Sequence, residues 1–200
     1  MERKIIFLDI EGVLLPLNAE KQFDHVYLRE KENDMPKLYE RLEYKFKIDY
    51  RKYHPYDVIN VFFDWNKESL ALLKLTLSLT GAQFVLSSNW QTDGYDRMKD
   101  FFTIHGLEEY YIGNTRGNYV DKAFIEEAKA KFKEKNGENS YLDYRSIQIL
   151  EWLSMNPDVT KWVVIDDMQL SGLDGHLIRT NPRYTWEDAE KAIRILTDCP

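Results

Sequence analysis

The sequence predicts an α/β fold: a doubly wound, Rossmann-like parallel sheet in a single domain over residues 1–200, with a small insertion after the first strand. Three observations carry this. Short continuous apolar runs, of the kind that buried parallel strands show, alternate with amphipathic helical segments. The runs Ile5–Leu8 and Trp162–Ile165 end in the carboxylates Asp9 and Asp166-Asp167, and Phe84–Leu86 ends in Ser87-Ser88-Asn89. The stretch from about Leu17 to Asp64 breaks the alternation, is dense in charge and aromatic residues, and contains no glycine.

Taken in order, Arg3 to Asp9 forms the first strand, and Gly12 lets the backbone turn sharply after it. Residues 17–64 are then a cap-like insertion over that strand's end. Within it Glu30 to Asp34 reads as a solvated loop ended by Met35-Pro36, and Lys37 to Lys47 as a short helix with Leu38 and Leu42 inward. Its rings, from His25 and Tyr27 to Tyr50, Tyr53 and Tyr56, are expected to form a small core of their own. Asp64 or Asn66 caps a helix over Lys67–Thr80, with Leu70, Leu73 and Leu77 on one face and Gly81 as its stop. Gln83 to Asn89 is a buried strand, Asp93 to His105 a helix, and Tyr110 to Ile112 a weak strand. Helices follow over Ala123–Lys135 and Arg145–Met155. Lys161–Asp167 and His176–Arg179 are the last strands, and Glu187–Leu196 is a closing helix.

Composition bounds the function. Hydrophobic residues make up 44% of the chain, enough for a sizeable core, and the net charge is −7. That balance gives no support to broad nucleic-acid or membrane adhesion and leaves room only for a local basic patch. Cys199 is the single cysteine, so no intrachain disulfide forms, which fits a reducing cytoplasm. Asp9 and Glu11 interrupt the N-terminal apolar run that would otherwise mimic a signal peptide. No stretch is long and apolar enough to span a bilayer. The expectation is a soluble cytoplasmic protein, with the oligomeric state open.

In a doubly wound sheet the carboxyl ends of the strands share one edge, where ligands bind. Asp9 with Glu11, Ser88 with Asn89, and Asp166 with Asp167 would therefore converge. Crowded carboxylates repel unless a cation or protons neutralise them. Oxygen ligands of this kind suit Mg²⁺, and nearby hydroxyl and N–H groups suit a phosphoryl group. Asp166-Asp167 alone reads equally well as a turn or a helix cap; three such strand ends together favour a site. His25, His54, His105 and His176 are scattered without metal-ligand spacing. Trp90 packs either over the site or under the helix that follows it, the latter being favoured.

Phe7-Leu8-Asp9-Ile10-Glu11-Gly12-Val13 resembles the first motif of the haloacid dehalogenase (HAD) superfamily. Val85-Leu86-Ser87-Ser88-Asn89 is similar to its second motif, and Val163-Val164-Ile165-Asp166-Asp167 to its acidic fourth. The segments Thr80–Trp90, Ile149–Leu153 and Arg179–Pro182 resemble in particular the HAD domains associated with Swiss Army Knife RNA-repair proteins. The resemblance implies a Mg²⁺-dependent phosphomonoesterase acting through an aspartyl-phosphate. In it Asp9 is the nucleophile, Glu11 the acid/base, and Ser88, Asn89 and Gly12 bind the phosphoryl group. Mg²⁺ is held by Asp9, the backbone carbonyl of Glu11, Asp166 and Asp167. The substrate is a small molecule or an end phosphate, with nucleotides and nucleic-acid ends among the candidates.

The sequence departs from the superfamily's pattern at two positions. Glu11 stands where its phosphatases usually carry Asp, and its carboxyl reaches one methylene further. The usual basic residue is Lys; here Arg145 stands at the head of the helix before the fourth motif, with Lys122 as its rival. Ser88 is favoured over Ser87 for the phosphate because Ser88-Asn89 aligns with the superfamily's common Thr-Asn pair. The alternative reading is a catalytically degenerate HAD-like domain that binds phosphate ligands or a protein partner. A receiver-type signalling domain is disfavoured, since its acidic pair belongs on the first strand.

Overall fold

Alternate residues of the first strand, β1 (Arg3–Leu8), face two separate cores. Ile6 and Leu8 point into the larger one and Ile5 and Phe7 into the other, all fully buried. This period of two is what a central strand covered on both faces demands. β1 lies in the middle of a five-stranded parallel sheet of order β3-β2-β1-β4-β5. The others are β2 (Gln83–Leu86), β3 (Tyr111–Asn114), β4 (Val159–Asp166) and β5 (Leu177–Arg179). The register pairs Leu8 with Leu86 on one side and with Ile165 on the other. Asp9, Ser87 and Asp166 therefore leave the sheet at one level. The computed structural model describes residues 2–17, 19, 25–115 and 119–197, with backbone alone at 25–33 and 92–93. Cys199 and the side chains of His25 and Tyr27 lie outside the described residues.

Helix α3 (Lys67–Thr80) has the predicted bounds. Asn66 accepts from the Ser69 N–H at 2.9 Å, and Gly81 ends the helix at φ 67°. α3, α4 (Tyr95–Ile104) and α7 (Trp186–Thr197) contribute Leu73, Phe102 and Ala189 to the larger core. α6 (Tyr144–Ser154) covers the opposite face with Ile149, and α5 (Lys122–Asn136) packs outside it through Phe124 and Phe132. Among the described residues no helix is long and apolar enough to cross a membrane.

The insertion departs from expectation. Helix α1 runs from His25 to Phe46, through the segment expected as a loop and through Pro36. The missing Pro36 N–H removes one bond from the ladder. Met35, Leu38 and Leu42 are buried on either side of it, and this packing outweighs the local break signal. Three short helical segments follow: a 3₁₀ turn over Tyr50–Lys52, α2 (Pro55–Ile59) and a π-helical turn over Asn60–Asp64. Nor do the rings make a private core. Tyr50 is fully buried in the main one, with Tyr39 and Tyr53 packed against it. Polar contacts fix the insertion to α4: Tyr50 donates to the Asp100 carbonyl at 2.8 Å, Tyr53 to Asp100 Oδ2 at 2.5 Å, and Arg97 pairs with Asp57 at 2.6 Å.

Candidate functional site

Two groups of side chains meet at the carboxyl edge of the sheet. The first consists of Asp9, Asp166 and Asp167, each offering a carboxylate oxygen within 4.8 Å of the others. The Asp9 N–H continues the ladder by donating to the Ile165 carbonyl at 3.0 Å, which fixes where its side chain leaves. Arg145, in the first turn of α6, places Nη1 2.5 Å from Asp9 Oδ2 and 2.7 Å from Asp166 Oδ2. The head of α6 is tied to the loop after β4: Asp143 Oδ2 accepts from the Ser171 N–H at 2.7 Å and from its hydroxyl at 2.5 Å. Arg145 and the acidic pair are thus held in one frame.

The second group is built around Glu11. Its Oε2 accepts from Ser88 Oγ at 3.1 Å, and its Oε1 accepts from the Trp90 indole Nε1 at 2.7 Å. Ser88 also caps the short 3₁₀ turn Asn89–Asp93 that carries Trp90. The loop holding Glu11 is tightly wound, since the N–H groups of Val13, Leu14 and Leu15 all point to the Ile10 carbonyl. Thr180 Oγ1 donates to the Gly12 carbonyl at 2.6 Å, the Tyr184 N–H to Val13 at 3.0 Å, and the Asn66 N–H to Leu14 at 2.7 Å. Gly12 sits at φ 69°, and a Cβ there would fall 2.4 Å from the Asp167 Cβ. Only glycine allows the loop after β1 and the loop after β4 to touch.

The site is short of positive charge. Burial, and then the neighbouring Asp166 carboxylate, push Asp9 up to about 7, against the opposing pull of Arg145 and of the Ser88 hydroxyl. Burial likewise raises Asp166, and Arg145 offsets only part of this. Burial disfavours the Arg145 cation, but Asp9 and Asp166 outweigh it and hold the guanidinium firmly charged. Among the described residues, Arg145 pairs with Asp9 and Asp166, while Asp167 adds a third carboxylate and Glu11 a further negative charge near Asp9, all with hard oxygen donors. Such a set fits a divalent ion of the Mg²⁺ type, whose charge would bring Asp9 back to its ionised form. The residues able to hold it are Asp9, Asp166 and Asp167.

Sequence-predicted positions are distributed as follows. Asp9, Asp166, Asp167 and Arg145 come together, Glu11 and Ser88 stand beside them, and Gly12 abuts Asp167. Asn89 is exposed at the head of its turn, and Lys122 is exposed at the first position of α5. Ser87 is buried, with no partner for its hydroxyl among the described residues. Trp90 combines the two placements open to it. It does pack edge-on against Phe101 of α4, with centroids 6.3 Å apart, but its N–H also reaches into the site. An indole is half apolar ring and half donor, and periodicity reports only the ring.

The family model described as the HAD domain in Swiss Army Knife RNA repair proteins matches residues 5–190. The comparisons with curated proteins and with solved structures found no significant match. That superfamily comprises hydrolases that generally use Mg²⁺, and the acidic cluster is compatible with such an ion. On its sheet order, its three motif-bearing strand ends and a family match that takes in all of them, the chain belongs to the family of HAD domains found in Swiss Army Knife RNA repair proteins.

Proposed function

We propose that the protein is a Mg²⁺-dependent phosphomonoesterase that works through an aspartyl-phosphate on Asp9. The observation that carries this is the Arg145 guanidinium bridging the buried carboxylates of Asp9 and Asp166, with the Asp167 carboxylate beside them. Asp9, Asp166, Asp167 and the Glu11 carbonyl would hold Mg²⁺, which supplies charge neutralisation so that a carboxylate can approach a phosphate dianion.

In the first half-reaction an Asp9 carboxylate oxygen bonds to phosphorus as the bond to the leaving oxygen breaks. Glu11 gives its proton to that oxygen. In the second half, water attacks phosphorus and passes a proton to Glu11. The bond to Asp9 breaks, and inorganic phosphate leaves with both residues restored. Arg145 holds Asp9 in place and offsets charge throughout. The Ser88 hydroxyl, here donating to Glu11, turns to a phosphoryl oxygen, joined by the N–H of Asn89.

Candidate substrates are small phosphate monoesters and the end phosphates of nucleotides or nucleic acids. Exposed Tyr119, which follows β3, and Tyr144, next to Arg145 at the head of α6, support the latter, because bases stack on aromatic side chains. The test is hydrolysis of p-nitrophenyl phosphate and of a panel of nucleotide and oligonucleotide end phosphates. Turnover is expected with Mg²⁺, and neither in EDTA nor in Asp9→Asn. Full turnover in either of those would overturn the reading.

A further inference from the structure

We infer that Trp90 is a positioning residue for Glu11, and that its indole N–H is what allows a glutamate to serve at this place. The inference rests on the phosphatase reading above and assigns a new residue to it. A glutamate side chain has one more rotatable bond than aspartate, so its carboxylate is harder to hold still. Here both oxygens are fixed from one short turn: Oε2 by Ser88 Oγ at 3.1 Å and Oε1 by Trp90 Nε1 at 2.7 Å. Serine can donate or accept, whereas indole only donates, so Trp90 always presents a hydrogen to the carboxylate.

The indole is itself held rigidly. Its ring meets Trp65 edge-on at 6.0 Å and Phe101 at 6.3 Å. Trp65 is 2% exposed, stacks on His105 at 5.3 Å and touches Phe102 at 5.7 Å. The position of Glu11 is therefore referred, through Trp90, to the packed core at the start of α3 and along α4. A carboxylate one methylene shorter would fall short of Nε1. On this account the pocket is matched to glutamate.

The test compares two leaving groups. p-Nitrophenolate departs with little help from an acid, whereas an alkoxide needs a proton. Trp90→Phe keeps a ring in place and removes only the donor. Its kcat for an alkyl phosphate is expected to fall by roughly 10- to 100-fold, that for p-nitrophenyl phosphate by several-fold less, with KM little changed. Adding Trp90→Phe to Glu11→Gln should cost nothing further. Equal losses for the two substrates, or losses that multiply in the double variant, would overturn the positioning role.

A second measurement does not depend on turnover. In ¹H–¹⁵N spectra of the parent, the Trp90 indole signal, identified by its loss in Trp90→Phe, should move upfield in Glu11→Ala. An unmoved signal would overturn the inference whether or not the protein hydrolyses phosphate. A moved signal without hydrolysis in the parent would instead count against the phosphatase reading.

Discussion

Arg145 Nη1 lies 2.5 Å from Asp9 Oδ2, in an ion pair whose side chains are 13% and 2% exposed. Removing one member of such a pair leaves an unpaired buried charge, at a cost of about 3–5 kcal/mol. Here the carboxylate has an escape, because burial already pushes Asp9 up to about 7 beside Arg145, and loss of the guanidinium raises it further, so that it takes up a proton as pH falls. Arg145→Met should therefore destabilise the metal-free protein by about 3 kcal/mol near pH 8 and by clearly less near pH 5. Urea unfolding at the two pH values measures this. Equal losses would mean that Asp9 is already neutral, or that Arg145 acts through packing alone.

Asp9 also predicts how stability follows pH. Its pKa in the fold, about 7, is above the ordinary 3.8, so the folded state keeps the proton longer than the unfolded chain does. This group's contribution is fully present below about pH 4 and is lost as pH rises through about 7. In EDTA the difference in unfolding free energy between the parent and Asp9→Asn should change by a few kcal/mol across that window. With saturating Mg²⁺ the change should shrink, since the ion favours the carboxylate. A pH-independent difference in EDTA would contradict the charge deficit described for the site.

His105 gives the opposite slope. Burial lowers it to about 4, against a hydrogen bond to the Val61 carbonyl that works to keep its proton. The unfolded chain protonates first as pH falls below about 6.5, so stability present above that value is lost towards pH 4, by up to about 3 kcal/mol. His105→Phe should flatten this part of the profile relative to the parent. An unchanged profile would show that the ring titrates freely in the fold.

At Gly12, a substitution to Ala meets two penalties at once: a left-handed φ of 69° and a Cβ 2.4 Å from that of Asp167. Together these amount to about 2–4 kcal/mol. The loop after β4 should also shift. Calorimetry is expected to show weaker Mg²⁺ binding in Gly12→Ala, with the fold retained. Parent-like affinity and stability would mean that the two loops are not in register as described.

What was legible in the sequence was what is local. Ile5–Leu8 ending in Asp9, and Trp162–Ile165 ending in Asp166, announce buried strands whose carboxylates share an edge. Asn66 and Gly81 bracket α3 because a cap and a left-handed stop are single-residue signals. The candidate site's acidic half followed from those strand ends. Its other half did not: the Glu11–Trp90 contact spans 79 positions, and no periodicity encodes which way a half-apolar ring turns its N–H. The insertion hides its helix for a related reason. Pro36 and the charges before it look like a break, but α1 is held by Met35, Leu38 and Leu42 against a core assembled from distant segments.

Trapping the covalent intermediate tests whether Asp9 is the nucleophile toward phosphorus. Glu11→Gln should slow release of phosphate from the covalent intermediate, because no group is left to take the proton from water. Acid quench of that variant during turnover of p-nitrophenyl phosphate with Mg²⁺, followed by peptide mass spectrometry, is expected to find a phosphoryl group on Asp9 and on no other residue. Turnover in this variant as fast as in the parent, or a phosphoryl group on any other side chain, would contradict the account.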